Sequence, residues 1–192
     1  MLFLVTSFEN SITSKNANAE ELICKIALGD TEAFRQLYEL TKADVYAFAL
    51  SFLKNTHDAE DVMQTVYIHI YNSVSQYKPQ GKPMAWVMAI TKNLCYERFR
   101  NLSRFEEFNH FQENNISLSK NIDLEGKFLA EFCLNSLNEK ERNIVVLHAV
   151  SGFKHREIAK LLGLPIGTVL SKYKRAMGKI KKLLQGGEYG DE

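Results

Sequence analysis

His155-Arg156-Glu157-Ile158-Ala159-Lys160-Leu161-Leu162-Gly163 is followed by Leu164-Pro165-Ile166-Gly167 and then by Thr168-Val169-Leu170-Ser171-Lys172. The first nine residues read as a short helix that stops at a glycine. The next four read as a tight turn, and Thr168 to Leu184 as a second helix. Two helices crossing steeply need a small residue where they touch and a residue tolerant of positive φ in the turn. They also need an apolar residue early in the second helix, pointing back at the first. Ala159, Gly163 and Val169 stand at those three places. The spacing predicts a helix-turn-helix.

Projected at about 100° per residue, the second helix divides into two faces. Val169, Tyr173, Ala176, Met177, Ile180, Leu183 and Leu184 fall on one. Lys174, Arg175, Lys179, Lys181 and Lys182 fall on the other, with Lys172 at the margin. No acid lies between Glu157 and Glu188. A solvated face ordinarily mixes both signs, so a purely cationic one points to a polyanion. The pattern reads as a recognition helix for a DNA major groove. Lys174, Arg175 and Lys179 would contact phosphates, and Thr168, Ser171 and Lys172 near the helix start would reach base edges.

The 192 residues around this motif carry a net charge of only +1 and are 45% hydrophobic, with three prolines. Disorder throughout is excluded, because such a chain can bury a core, and the length suits one medium domain or two small ones. No run of about 18 uncharged apolar residues is present to span a membrane. The opening Met1-Leu2-Phe3-Leu4-Val5 is too short and too poor in bases for a secretion signal, so the expected location is cytoplasmic. Cys24, Cys95 and Cys133 are widely spaced and form no C-x-x-C pair. They read as three buried thiols in a reducing compartment, not as a disulfide framework or a zinc site.

The near-neutral total hides a strong segregation. Residues 19–61 hold nine acids and four bases, 62–105 one acid and six bases, 106–133 six acids and two bases, and 134–184 three acids and eleven bases. Helical periodicity runs through 19–101 with breaks at Gly29-Asp30, Asn55-Thr56-His57-Asp58 and the Tyr77–Pro83 loop. It fades in the Asn- and Ser-rich stretch 102–125 and returns over 126–184. The expected fold is therefore all-α: two small helical domains, 19–101 and 126–184, joined by a flexible linker. An N-terminal extension, 1–18, and an acidic tail, 185–192, flank them.

Two features of the first domain carry chemistry. In the helix opened by Asp58-Ala59-Glu60-Asp61, the residues Asp61, Gln64 and Ile68 share one side, and Val62, Val66 and Ile70 the other. A carboxylate and an amide beside an exposed isoleucine suit a basic protein surface. Farther on, Tyr77, Lys78, Lys82, Trp86, Lys92, Tyr96, Arg98, Phe99 and Arg100 interleave rings with cations, the pattern that holds single-stranded nucleic acid by stacking and backbone contact. Trp86 also repeats with Ile90 and Leu94 at helical spacing, so it fits a core position as well.

These motifs resemble the extracytoplasmic-function group of bacterial RNA polymerase sigma factors. Asp58-Ala59-Glu60-Asp61-x-x-Gln64 is similar to that family's core-polymerase-binding helix. Pro83-Met84-Ala85-Trp86-x-x-x-Ile90-x-x-Asn93-x-x-x-Glu97-x-x-Arg100 is similar to its promoter-melting, minus-ten-reading helix. Leu137-Asn138-Glu139-Lys140-Glu141-Arg142, with Glu157-Ile158-Ala159 and Gly167-Thr168-Val169-x-Ser171-Lys172-x-x-Arg175-Ala176, is similar to its minus-thirty-five-binding domain. The resemblance implies a region 2-like bundle and a region 4-like helix-turn-helix. It implies core polymerase contacts at Asp58, Asp61, Gln64 and Ile68, and single-strand contacts at Tyr77, Lys78, Lys82, Trp86, Lys92, Asn93 and Arg100. The implied partners are core RNA polymerase, promoter DNA and an anti-sigma factor, with no cofactor, metal, small-molecule substrate or membrane insertion. Thr65 stands where the family often has an acid, Glu97 where Asp is usual, Lys172 where Arg is usual and Met177 where a base is common. Lysine cannot make arginine's planar fork to guanine. The competing reading is a stand-alone helix-turn-helix regulator of duplex DNA, which leaves the acidic helix and the Trp86 segment unused. An enzyme built on His57, Asp58, Asp61 and His148 or His155 lacks a second ligand cluster, a nucleophile elbow and a phosphate loop.

Overall fold

The computed structural model describes the backbone of residues 2–106 and 124–186 and the side chains of 14–102 and 129–185. The described residues form α-helices joined by turns, and none of them is a strand. The first group is α1 (Leu2–Ala27), α2 (Thr31–Leu53), α3 (Thr56–Ser73), a 3-10 turn (Val74–Gln76) and α4 (Pro83–Glu106). The second is α5 (Leu124–Asn135), α6 (Glu139–Ala149), α7 (His155–Leu162) and α8 (Ile166–Gly186).

Local chemistry sets the boundaries. Gly29 at φ +92 closes α1, and the Asp30 carboxylate accepts the Ala33 N–H at 3.0 Å to open α2. Asn55 does the same for α3 through the Asp58 N–H at 3.0 Å. Pro83 occupies the first position of α4, where its missing donor costs nothing. Asn138 and Glu141 exchange side chain and backbone in a capping box at the start of α6.

The apolar positions recur every three or four residues and bury one face of each helix: Ala19, Ile23 and Ile26 of α1; Ala33, Leu37, Val45 and Phe48 of α2; Val62, Val66 and Ile70 of α3; Val87, Met88 and Cys95 of α4. Helix α1 runs continuously through residue 18. Cys24 is exposed, contrary to the buried thiol expected, because the helical period that turns Ile23 inward turns its neighbour out. Cys95 and Cys133 are buried. The linker expected at 102–125 lies largely outside the described residues; α4 extends through its first positions to Glu106, and α5 begins at Leu124.

The two helical groups pack on one another. α2 lies against α6 and α4 against α7, and Ile144, Leu147, Ile158 and Val169 share one apolar cluster with the first group. Two cations seal this junction, each at the end of a helix whose last carbonyls lack intrahelical donors. Arg142 of α6, 1% exposed, donates from Nε to the Ser51 carbonyl at 2.5 Å in the last turn of α2, and from Nη1 to the Leu137 carbonyl at 3.0 Å. Lys92 of α4 donates to the Leu161 carbonyl at 3.0 Å in the last turn of α7. The Ser51 hydroxyl donates to Asn143 Oδ1 at 2.9 Å beside the first of these.

Candidate nucleic-acid interface

The helix-turn-helix forms as the spacing predicts. Gly163 adopts φ +66 and Ala159 and Val169 are buried, but α8 begins at Ile166, so Ile166 and Gly167, expected in the turn, open the helix just after Pro165. Of the positions expected on the inner face of α8, Val169 and Ala176 are buried and Tyr173 and Ile180 half-buried. Met177 and Leu184 are instead exposed at 41% and 44%. Leu183 is half-buried, and the apolar stripe turned inward runs through Val169, Tyr173, Ala176 and Ile180.

On the outward side, Ser171, Lys174 and Arg175 are exposed and Thr168 and Lys172 half-exposed. The Ser171 hydroxyl donates to the Thr168 carbonyl at 3.1 Å, and Arg175 Nε to the Ser171 carbonyl at 3.3 Å. Lys179, expected in the phosphate row, is exposed, and its ammonium also pairs with Glu141 at 2.7 Å. Glu141 is buried, which pushes its carboxyl up, but the Lys179 and Asn138 hydrogen bonds outweigh that and hold it below the usual carboxylate range.

Beneath α8, His148, His155 and Tyr173 form a ring cluster with centroids 4.4–5.0 Å apart. His148 Nδ1 lies 2.8 Å from the Phe153 carbonyl, while buried His155 Nε2 has no hydrogen-bond partner. Burial, and then the neighbouring His148, hold the His155 imidazole below its ordinary range. The unfolded chain therefore takes up this proton near pH 6.5 where the folded domain refuses it. Stability is full above that value and falls as the pH drops below it. Thermal melts of the full chain from pH 7.5 to 5.5 are expected to show the fall, and a His155→Leu variant to show a shallower one.

In the first domain, Tyr77 and Trp86 pack ring to ring with centroids 5.0 Å apart, and Trp86 is half-buried, so it serves core and surface at once. Lys78, Lys82, Asn93 and Arg100 are exposed. Lys92 donates to the Leu161 carbonyl, so in this arrangement α7 lies against α4. Sequence reasoning missed Glu20, whose Oε1 accepts from both the Tyr77 hydroxyl at 3.0 Å and the Gly81 N–H at 3.1 Å. Its only sequence signal is an acid on the margin of an amphipathic helix.

On α3, Gln64 and Ile68 are exposed, Ile68 at 60%, and Asp61 half-exposed, while Val62, Val66 and Ile70 are buried, as the projection predicts. Tyr71, one turn beyond Ile68, extends the apolar part of this face. Asp58 does not join it: it is buried at 8% and accepts from Arg98 Nε at 2.9 Å and Nη2 at 2.5 Å. The helix period turns it toward α4. His57, Asp58 and Asp61 gather ligand atoms within 4.8 Å of one another, but the Arg98 guanidinium already supplies the positive charge there, 3.6 Å from Asp61.

Known proteins share both helical regions and their fold. The Sigma-70 region 2 family model matches residues 37–105, and the Sigma-70, region 4 model residues 128–180, together more than half of the chain. The ECF RNA polymerase sigma factor SigW of Bacillus subtilis is 22% identical over 181 residues, covering 85% of this chain and 95% of SigW. SigK of Mycobacterium tuberculosis is 21% identical over 182 residues, covering 88% and 95%. Among solved structures, the sigma factor RpoE of Bartonella quintana, in complex with the anti-sigma factor NepR, superposes with a TM-score of 0.69 at 25% identity over 81% of this chain and 98% of RpoE. CnrH, in complex with the cytosolic domain of CnrY, superposes with a TM-score of 0.61 at 24% identity over 88% and 98%. With the region 2 match on the helices that carry the acidic and aromatic faces, and the region 4 match on the helix-turn-helix, the chain belongs to the extracytoplasmic-function group of the sigma-70 family of RNA polymerase sigma factors.

Proposed function

We propose that this sigma factor works through three surfaces. Asp61, Gln64 and Ile68 dock on core RNA polymerase. Thr168, Ser171, Lys172, Lys174 and Arg175 hold the upstream promoter element as duplex. Tyr77, Lys78, Lys82, Trp86, Lys92, Asn93 and Arg100 capture one strand of the downstream element as it opens. Asp58 supports the docking face from within through Arg98, and Lys179, exposed beside the duplex surface, pairs with the buried Glu141. Joining the duplex and single-strand contacts in one chain raises the effective concentration of the second once the first is made. Residues 19–101 and 126–184 are the two working domains. The chain acts in the cytoplasm as a binding protein and not as an enzyme. Among the described residues no helix is long and apolar enough to cross a membrane. Its activity is restrained by an anti-sigma factor, the kind of partner seen with the Bartonella relative.

The observation that carries the polymerase role is the outer face of α3, where an isoleucine 60% exposed lies beside an amide and a carboxylate, opposite the buried Val62, Val66 and Ile70. Such a face is a docking surface, and a stand-alone regulator has no use for it. Co-purification with bacterial core polymerase tests it. Wild type is expected to form a stable complex, and Asp61→Arg with Gln64→Ala to weaken it by about 100-fold, since a repelling charge replaces an attracting one at a rim of basic groups. Equal capture of both would remove this face from the interface. Because Lys92 holds the Leu161 carbonyl, strand capture also requires the α4–α7 contact to part once polymerase is bound.

A further inference from the structure

We infer that Glu20 is a positioning residue for promoter opening: it clamps the Tyr77–Pro83 loop in the shape that presents Tyr77 and Trp86 to the unpaired strand. The inference rests on the strand-reading role proposed above. A single carboxylate oxygen, Oε1, accepts from the Tyr77 hydroxyl at the start of the loop and from the Gly81 N–H near its end. Hydrogen bonds to an ionised acceptor are the stronger kind. Gly81 sits at φ +67, a backbone shape that leaves its N–H pointing back at α1. Between the two anchors, Lys78, Pro79 and Gln80 are exposed and bury nothing, so the loop has no core of its own to hold its form. Tyr77, once anchored, forms a wall for Trp86 with ring centroids 5.0 Å apart. Burial and the adjacent carboxylate also push the Tyr77 hydroxyl well above its ordinary range, which keeps it a donor to Glu20.

The clamp is separable from the fold. α1 is already fixed to its neighbours by buried Ala19, Ile23 and Ile26 and by the Lys15–Asp44 ion pair. Loss of the Glu20 carboxylate should therefore free the loop without unseating the helix. Base stacking depends on ring placement, so a freed Tyr77–Trp86 pair reads the strand poorly while duplex and polymerase contacts, made elsewhere, persist.

The test uses the full chain assembled with bacterial core polymerase and a pool of short random-sequence single-stranded DNA, with core alone as background. Wild type is expected to enrich a sequence motif. Glu20→Ala should lower that enrichment about tenfold, and Glu20→Gln, which keeps the acceptor oxygen, should restore most of it. Core capture and the melting temperature of the free chain should be unchanged in both variants. Enrichment by Glu20→Ala equal to wild type overturns the clamp alone. So does an equal fall in core capture, strand enrichment and melting temperature, which makes Glu20 a general structural residue. A wild-type complex that enriches nothing over core overturns the strand-reading role, and the clamp with it.

Discussion

Arg142→Ala is expected to destabilise the chain by about 3 kcal/mol or more and to lower its melting temperature by roughly 6–12 °C. The guanidinium is 1% exposed, and burial lowers its pKa, so its charge is held by dipoles and not by water. Those dipoles are the Ser51 and Leu137 carbonyls, at 2.5 and 3.0 Å. Alanine leaves both acceptors buried without a donor and opens a cavity between α2 and α6. Arg142→Met fills most of the volume but restores no donor, and is expected to fall between alanine and wild type. Chemical denaturation followed by circular dichroism measures both. A loss below about 1 kcal/mol for Arg142→Ala would mean that water replaces the guanidinium at this junction.

The junction that Arg142 closes explains what was legible in the sequence and what was not. The helix-turn-helix was readable because its requirements are local: Ala159, Gly163 and Val169 lie within eleven residues and answer to backbone geometry alone. The outer face of α3 was readable for the same reason, since helical period assigns Ile68 outward and Ile70 inward without reference to any other element. Contacts between distant segments were not readable. Arg142 and Ser51 are separated by 91 residues, and Lys92 and Leu161 by 69. Nothing local distinguishes a lysine aimed at a helix C-terminus from one aimed at a phosphate. Nor were the internal partners of Lys179 and Asp58 readable: Lys179, exposed on α8, also pairs with Glu141, and buried Asp58 with Arg98, each across a helix junction.

Several cations of the two basic blocks have partners inside the free chain: Lys92 the Leu161 carbonyl, Arg98 the Asp58 carboxylate, Arg142 the Ser51 carbonyl and Lys179 the Glu141 carboxylate. Of the two helix-end contacts that cross between the helical groups, the half-buried Lys92–Leu161 contact is the more readily exchanged for water, while the Arg142–Ser51 contact, fully buried, is costly to break. Parting α4 from α7 is therefore easier than parting α2 from α6, in keeping with the strand capture proposed above.

The strongest effect on DNA binding is expected from Lys174→Glu with Arg175→Glu, which should weaken binding to promoter duplex by about 100-fold or more and cut its salt dependence by about two phosphate equivalents. Both side chains are exposed on the outer face of α8. Arg175 also helps hold the buried Glu141 carboxylate ionised, so its reversal should cost some stability, and binding is compared where both chains are folded. Each reversal removes a cation that would release a counterion on binding and adds an anion that repels the backbone. Lys179→Gln is the informative contrast. Its ammonium already neutralises Glu141, so the salt slope should hardly move, while the melting temperature should fall because a buried carboxylate loses its partner. Titrations of the polymerase-bound chain on duplex over a range of salt separate the two. A slope lowered as much by Lys179→Gln as by one of the outer-face reversals would place Lys179 on DNA when bound, and the Glu141 pair would then belong to the free protein alone.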